Sequence, residues 1–197
     1  EKASPPETAT PQGWRGRRRF GRRGMTTRAY IALGSNLGDP LATVQAAFTA
    51  LRTLPETTLV AASSLYRSAP VGLKHQPDFI NAVAAVDTAL GAAVLLEELF
   101  AIEARFGRRR DFHHAPRTLD LDLLLYGSET RRGAQLTLPP PRMPERAFVL
   151  LPLLEIAPDI VIPGRGPARD LMAACREQKL AKLAIIPVVF DTESQRP

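Results

Sequence analysis

Two acids stand two residues apart inside an otherwise apolar run, RTLDLDLLLYG at residues 117–127, and this stretch constrains the chain more than any other. Successive side chains of a strand alternate faces. Leu119, Leu121 and Leu123 therefore belong to a core, while Asp120 and Asp122 point together to the other side, roughly 6–7 Å apart. Asp is depleted in strands, and like charges on one face repel. Two circumstances accommodate the pair: a solvated face on which the carboxylates are hydrated, or a divalent cation between them. Mg²⁺ suits the second, because it takes oxygen ligands and is commonly held by one or two carboxylates completed by substrate phosphates and water.

The residues just upstream bear on that choice. Arg108, Arg109, Arg110 and Arg117 precede Asp120, in and just after a loop that also carries His113 and His114. Arginine gives permanently charged, bidentate contacts to phosphate oxygens and stabilises charge that develops during transfer. Taken alone, such a run is a solvated basic turn. Beside paired carboxylates it is the polar equipment of phosphoryl-type transfer. The chain has no GxxxxGK[ST] and no GxGxxG, so nucleotide phosphates would be held by side chains. His75, His113 and His114 lack zinc-type spacing with cysteine and receive no primary role.

A second constellation lies at SSLYRSAPVG and QPDFINAV, where Ser68 to Val71 and Phe79 to Asn81 bracket a short loop. Phe79 can stack on a planar ring, and Asn81, on the same strand face, offers a donor and an acceptor to a heterocycle edge. The alternative is Phe79 in the core and Asn81 satisfying backbone.

With 197 residues, 45% of them hydrophobic, the chain fits one domain, or one domain plus a tail. The net charge of +6 suggests nucleic acid, but residues 1–24 hold seven Arg or Lys against two Glu. From Met25 onward the charges nearly balance. The Pro-, Gly- and Arg-rich tail over 1–24 is expected to be disordered, and it has the character of neither a secretory signal nor a transit peptide. A native start near Met25 is the preferred account, with an RNA-binding arm as the alternative. Residues 25–190 then form the domain and 191–197 a flexible C-terminus. No apolar run is long enough to span a membrane. A single cysteine, Cys175, excludes an internal disulfide framework, reads as packing, and suits a reducing cytoplasm; a monomer is expected.

The pattern from residue 28 predicts a strand ending at GSNLGDP, then a helix capped by Asp39 with Pro40 in its first turn and Leu41, Val44, Ala47, Phe48 and Leu51 on one stripe. A strand over Thr57–Pro70 and a second over Phe79–Ala89 follow. Next comes a helix with apolar Val94, Leu95, Leu99, Ile102 and Phe106, ended by Gly107. After the acidic strand, a proline-laden connector leads through an Arg146 turn into a helix at Phe148–Pro158, limited by Pro152, and a last helix spans Asp170–Leu183. This is the βαββαβ order of a ferredoxin-like α+β sandwich, with helices on one face of an antiparallel sheet and extra C-terminal helices.

GSNLGDP, SSLYRSAPVG, QPDFINAV, GRRR…APRTLDLDLLLYG and PRMPERAFVLLPLLEIAP, in that order, resemble the 6-hydroxymethyl-7,8-dihydropterin pyrophosphokinases of folate biosynthesis over about residues 28–165. The resemblance implies transfer of diphosphate from ATP to the hydroxymethyl group of the reduced pterin, leaving AMP. It implies that Asp120 and Asp122 hold two Mg²⁺ ions, and that Arg110 and Arg117 stabilise the moving charge, with Arg108 in the same catalytic loop. The pterin would lie between Phe79 and Phe148, bonded by Asn81 and by the backbone around Ser68, Ala69 and Val71. Leu96, Glu103, Leu123, Thr137 and Arg146 fall where the family surrounds the nucleotide. Departures are Pro140 for a frequent histidine, Phe100 for a glutamine, Ala69 for a proline, Phe79 for a tyrosine, and a tight His113-His114-Ala115 segment. They leave the acids and arginines in place. A ferredoxin-like RNA-binding domain is the rival, but it would carry aromatics at exposed central strand positions where this chain has Ala, Val and Leu. A catalytically dead relative would have lost the acids or arginines.

Overall fold

The computed structural model describes residues 25–70, 76–107 and 118–184. The expected arm over 1–24 and the C-terminus over 191–197 lie outside them. So do Val71, Arg108, Arg109, Arg110, Arg117 and the three histidines.

The first strand, β1 (Thr27–Ser35), runs into α1 (Pro40–Arg52) through the cap read from the sequence: Asp39 Oδ1 accepts the Ala42 N–H at 3.0 Å, and Pro40 opens the helix. A proline there forgoes an N–H that no helical carbonyl would have met. β2 (Thr57–Ala62), β3 (Tyr66–Ser68) and β4 (Phe79–Thr88) follow, then α2 (Ala92–Arg105) and β5 (Asp120–Tyr126). β6 (Arg131–Arg132) and β7 (Thr137–Leu138) make a small ribbon. After a 3₁₀ turn at Met143–Glu145 come α3 (Ala147–Ile156), the pair β8 (Val161–Ile162) and β9 (Gly166–Pro167), α4 (Ala168–Leu171), a 3₁₀ turn at Met172–Cys175 and β10 (Leu180–Lys182).

The main sheet is antiparallel throughout, ordered β10-β3-β4-β1-β5, with β2 also on β4. Alternation divides its faces. Ile31, Leu33, Ala82, Ala84, Leu121 and Leu123 turn to one side and meet Val44, Phe48 and Leu51 of α1 and Leu95, Leu99 and Ile102 of α2. Each fully buried aliphatic here is worth roughly 1.5–3 kcal/mol, so these two stripes bind the helices to the sheet. Tyr30, Val83, Ala85, Leu124 and Leu125 turn the other way, against Val149, Leu150 and Leu153 of α3. Leu124 faces α3 by simple alternation, and the β1–β5 register shift between Tyr30 and Ile31 is a bulge that turns Leu125 to the same core.

Several expectations need correction. Helices lie on both faces: α1 and α2 on one, α3 on the other. The strand expected over Thr57–Pro70 is two strands on one partner. It breaks at Ser63–Leu65, where Ser63 Oγ takes the Val83 N–H and Ser64 turns both its N–H and its hydroxyl to Glu155. Pro152 does not limit α3 but sits buried inside it, depriving the Phe148 carbonyl of its i+4 donor while the helix runs on to Ile156. Val94 is 46% exposed, and the buried stripe of α2 instead includes Ala92 and Glu103. The helix expected over Asp170–Leu183 is only the one turn of α4 and a 3₁₀ turn. Leu180–Lys182 then extends and hydrogen-bonds the outer edge of β3, where pairing of an open sheet edge outweighs the helix propensity of Leu, Ala and Lys. Cys175 is buried in the core beneath α3, as its reading as packing required. Burial first, and the Glu145 carboxylate second, push its thiol pKa up.

Candidate active site

The open end of the sheet's α3 face carries the polar residues singled out from the sequence. In the β1–β4 and β1–β5 registers, Asn81 pairs with Gly34 and Gly34 with Asp120, so the three form one row across the sheet. The next row is Val83, Ala32 and Asp122. A strand outward, Tyr66 pairs with Asn81 and Ser68 with Phe79. The period-2 expectation therefore holds: Leu119, Leu121 and Leu123 are buried, while Asp120 is half-buried and Asp122 exposed on the opposite face.

This row floors a cleft of about 680 Å³, of a size that suits a drug-sized or nucleotide-like ligand. Asn81, Gly34, Asp120 and Asp122 lie at its floor, Ser68, Ala69 and Phe79 on one wall, and Pro140, Arg146 and Phe148 on the other. The second wall comes from the 3₁₀ turn and first residues of α3, where the Arg146 guanidinium carbon lies 5.7 Å from the Phe148 ring centroid. That is within cation–π range, and it couples the positions of the two side chains.

Asn81 is held for use. Its amide nitrogen donates to Ser68 Oγ at 2.9 Å and makes a long contact to the Tyr66 carbonyl at 3.5 Å, which fixes the side-chain plane. Its Oδ1 lies over Gly34, where a Cβ would stand 3.6 Å from it. The protein thus uses the donor end of the amide, and the acceptor end faces the floor of the cleft. β3, which bears Ser68, is fixed from behind by Glu155. That carboxylate accepts from Ser64 Oγ at 2.6 Å, Tyr66 Oη at 2.7 Å and Lys182 Nζ at 2.9 Å. Burial pushes the Glu155 pKa up, but these hydrogen bonds outweigh it and hold the group below its ordinary value. Burial, with the bond to Glu155, raises that of Tyr66.

At the other end, β5 is the last strand of the sheet. Glu103, 2% exposed on α2, takes the Leu121 N–H at 2.7 Å, so a buried carboxylate grips the backbone between the two aspartates. The approach to β5 is tied down by Ser35 Oγ, which donates to the Thr118 carbonyl. Among the described residues, no cluster of three or more His, Cys, Asp or Glu could hold a metal. Two carboxylates on an open cleft do not make an all-protein cage; they fit a Mg²⁺ ion whose remaining ligands are phosphate oxygens and water.

Of the other residues expected near a nucleotide, Leu123 is in the α1–α2 core and Leu96 packs against it. Thr137 is half-buried in β7, with its Oγ1 on the Gly133 carbonyl at 3.2 Å. Arg108, Arg110, Arg117 and Val71 lie outside the described residues. Gly34 and Gln178 line the cleft but were not foreseen. A glycine inside a strand was the available signal for the first; the second had none.

Comparison with known proteins identifies the family. A family model described as 7,8-dihydro-6-hydroxymethylpterin-pyrophosphokinase matches residues 30–158. The chain is 48% identical over 159 residues to the 2-amino-4-hydroxy-6-hydroxymethyldihydropteridine pyrophosphokinase of Pseudomonas aeruginosa, covering 81% of this chain and 98% of that one. It is 46% identical over 155 residues to the enzyme of the same name from Haemophilus influenzae, covering 79% and 97%. Among solved structures, a Plasmodium falciparum HPPK-DHPS chain superposes with a TM-score of 0.61 at 13% identity, over 75% of this chain and 43% of that one. The last likeness concerns the fold alone. With 48% identity along almost the whole length of a curated relative, the chain belongs to the 7,8-dihydro-6-hydroxymethylpterin-pyrophosphokinase family.

Proposed function

We infer that the chain transfers diphosphate from ATP to the hydroxymethyl group of 6-hydroxymethyl-7,8-dihydropterin, the pyrophosphokinase step of folate biosynthesis. The activity follows from the family and from relatives that match nearly end to end. The observation that carries its assignment to this cleft is the Asn81–Gly34–Asp120 row, which brings a heterocycle-reading amide and an acidic pair to one floor.

In this reading the pterin lies at the Ser68, Ala69, Phe79, Asn81 and Phe148 end, with Val71 contributing from beyond the described residues. Asn81 Oδ1 accepts from the ring edge, and the two phenylalanines supply apolar faces for it. Asp120 and Asp122 would hold two Mg²⁺ ions, which when bound there would neutralise the paired acids and the phosphate charge and make the substrate hydroxyl a better nucleophile. Arg146 faces the polyphosphate from the second wall. Arg108, Arg110 and Arg117 supply the charge that stabilises transfer, whereas Leu96, Glu103, Leu123 and Thr137 stand outside the cleft lining and support its β5 side from behind. The cleft orients the hydroxyl for in-line attack on the β-phosphorus.

The split βαββαβ connectivity and the β3-β4-β1-β5 order support a ferredoxin-like core. A free, buried Cys175 supports a reducing compartment, and a cytoplasmic monomer belongs to the same reading. Among the described residues, no helix is long and apolar enough to cross a membrane.

The test is AMP release from ATP, with and without hydroxymethyldihydropterin, by the wild type and by Asp122→Ala. Pterin-dependent AMP that disappears in the variant is expected. AMP formed without pterin, or an unaffected variant, defeats the assignment.

A further inference from the structure

The matched family region ends at residue 158, yet one wall of the cleft is held by a residue twenty positions further on. Gln178 Nε2 donates to the Glu145 carbonyl at 2.7 Å, and its Oε1 accepts the Ala147 N–H at 3.0 Å. Those two peptide groups flank Arg146, and Phe148 follows directly. The first turn of a helix leaves its N–H groups without intrahelical partners, and α3 has no side-chain cap at Arg146. Gln178 supplies that cap from a distant segment.

The same segment is fastened to the opposite wall. Two residues on, Leu180 pairs with Ser68, and Lys182 pairs with Tyr66 and reaches Glu155. On the other side of Gln178, the buried Cys175 contacts the Pro144 carbonyl through its thiol. Residues 175–182 therefore run as a strap from the turn that carries Arg146 and Phe148 to the strand that carries Ser68, whose hydroxyl orients Asn81. Gln178 itself lines the cleft, and a smaller pocket of about 300 Å³ lies behind it, between Phe148, Pro70 and Lys179.

We propose that Gln178 is a positioning residue for substrate binding: by holding both peptides around Arg146 it sets where the Phe148 ring and the Arg146 guanidinium stand over the cleft, and so sets the affinity for the pterin. This rests on the pterin-site reading above. Gln178 touches no reacting atom, so its loss acts on ground-state binding far more than on the chemical step.

The experiment compares Gln178→Met, which keeps side-chain volume without the two hydrogen bonds, with Gln178→Glu, which keeps the acceptor for Ala147. Arg176→Ala, an exposed change on the same strap, is the control. In the full chain, Gln178→Met is expected to raise KM for the pterin five- to thirtyfold, the scale of one or two hydrogen bonds, with kcat within about twofold. Gln178→Glu should recover part of the loss, and Arg176→Ala should match the wild type. Equilibrium binding of the pterin, read by its fluorescence, should weaken by the same factor as KM rises. An unchanged KM in Gln178→Met, or an equal rise in Arg176→Ala, overturns the proposal and leaves the function intact. A wild type without pterin-dependent AMP release defeats the function instead.

Discussion

Asn81 and Asp120 stand on either side of a single residue, Gly34, in one row across three strands. The heterocycle end and the acidic end of the cleft are thus separated by one strand that presents no side chain in this row. Gly34 has no left-handed φ, and a Cβ there would meet its nearest neighbour, Asn81 Oδ1, at an ordinary 3.6 Å. Nothing in the backbone requires glycine, which weakens a strand by roughly 0.5–1 kcal/mol. The bare floor is explained by close approach of a ligand. Gly34→Ala should therefore fold with an unchanged or slightly higher Tm while KM for the pterin rises about tenfold. Calorimetry and steady-state kinetics on one preparation check both; a lower Tm would make Gly34 a requirement of the sheet.

Asp122 lies exposed on the cleft floor, outside both apolar cores, and Asp122→Asn removes one charge of the acidic pair. Turnover should fall on the order of 10²-fold or more, as when a charge-stabilising group is removed from a transition state. Raising Mg²⁺ should restore part of it. Full activity in Asp122→Asn at limiting Mg²⁺ would remove Asp122 from the metal site.

Glu103 carries a different burden. Deleting its carboxylate leaves the Leu121 N–H facing an apolar core, at about 1–3 kcal/mol for an unsatisfied buried group. Glu103→Ala should lose that much in urea unfolding, and Glu103→Gln, which keeps an acceptor, much less. If Glu103→Ala proves as stable as the wild type, the grip on β5 is not a stabilising one.

The Glu155 cluster gives a pH dependence with a definite sign. Its folded pKa lies below the ordinary 4.5, so the group contributes stability above that value and loses it as pH falls through the folded pKa. The gap in urea midpoint between the wild type and Glu155→Gln should be full at pH 7 and shrink steadily below about pH 4.5. A gap that stays constant down to pH 3 would mean that the charge of Glu155 contributes nothing.

Legibility from sequence followed the range of the interaction. Asp120 and Asp122 were readable because a strand has period 2, and α1 because Asp39, Pro40 and the Val44–Leu51 stripe act within one helix. Phe79 and Asn81 were readable as a same-face pair for the same reason. What failed depended on distant partners. Leu180–Lys182 has the composition of a helix and becomes a strand because β3 offers an open edge. Glu103, expected only as a neighbour of the nucleotide, is buried because β5 presents a backbone N–H to it. Gln178 has no local signal, since its partners lie 31 and 33 residues away.

The register shift between Tyr30 and Ile31 has a consequence for variation in this molecule. It lets Leu125 join Leu124 in sealing the core under α3, within the same seven residues that hold the acids at the other end. Chemistry and architecture are welded into one segment. A substitution at either leucine reaches the acidic pair through the shared backbone, so resistance to an inhibitor of this cleft has little room to arise along β5 and is instead expected on the wall built by residues 140–148.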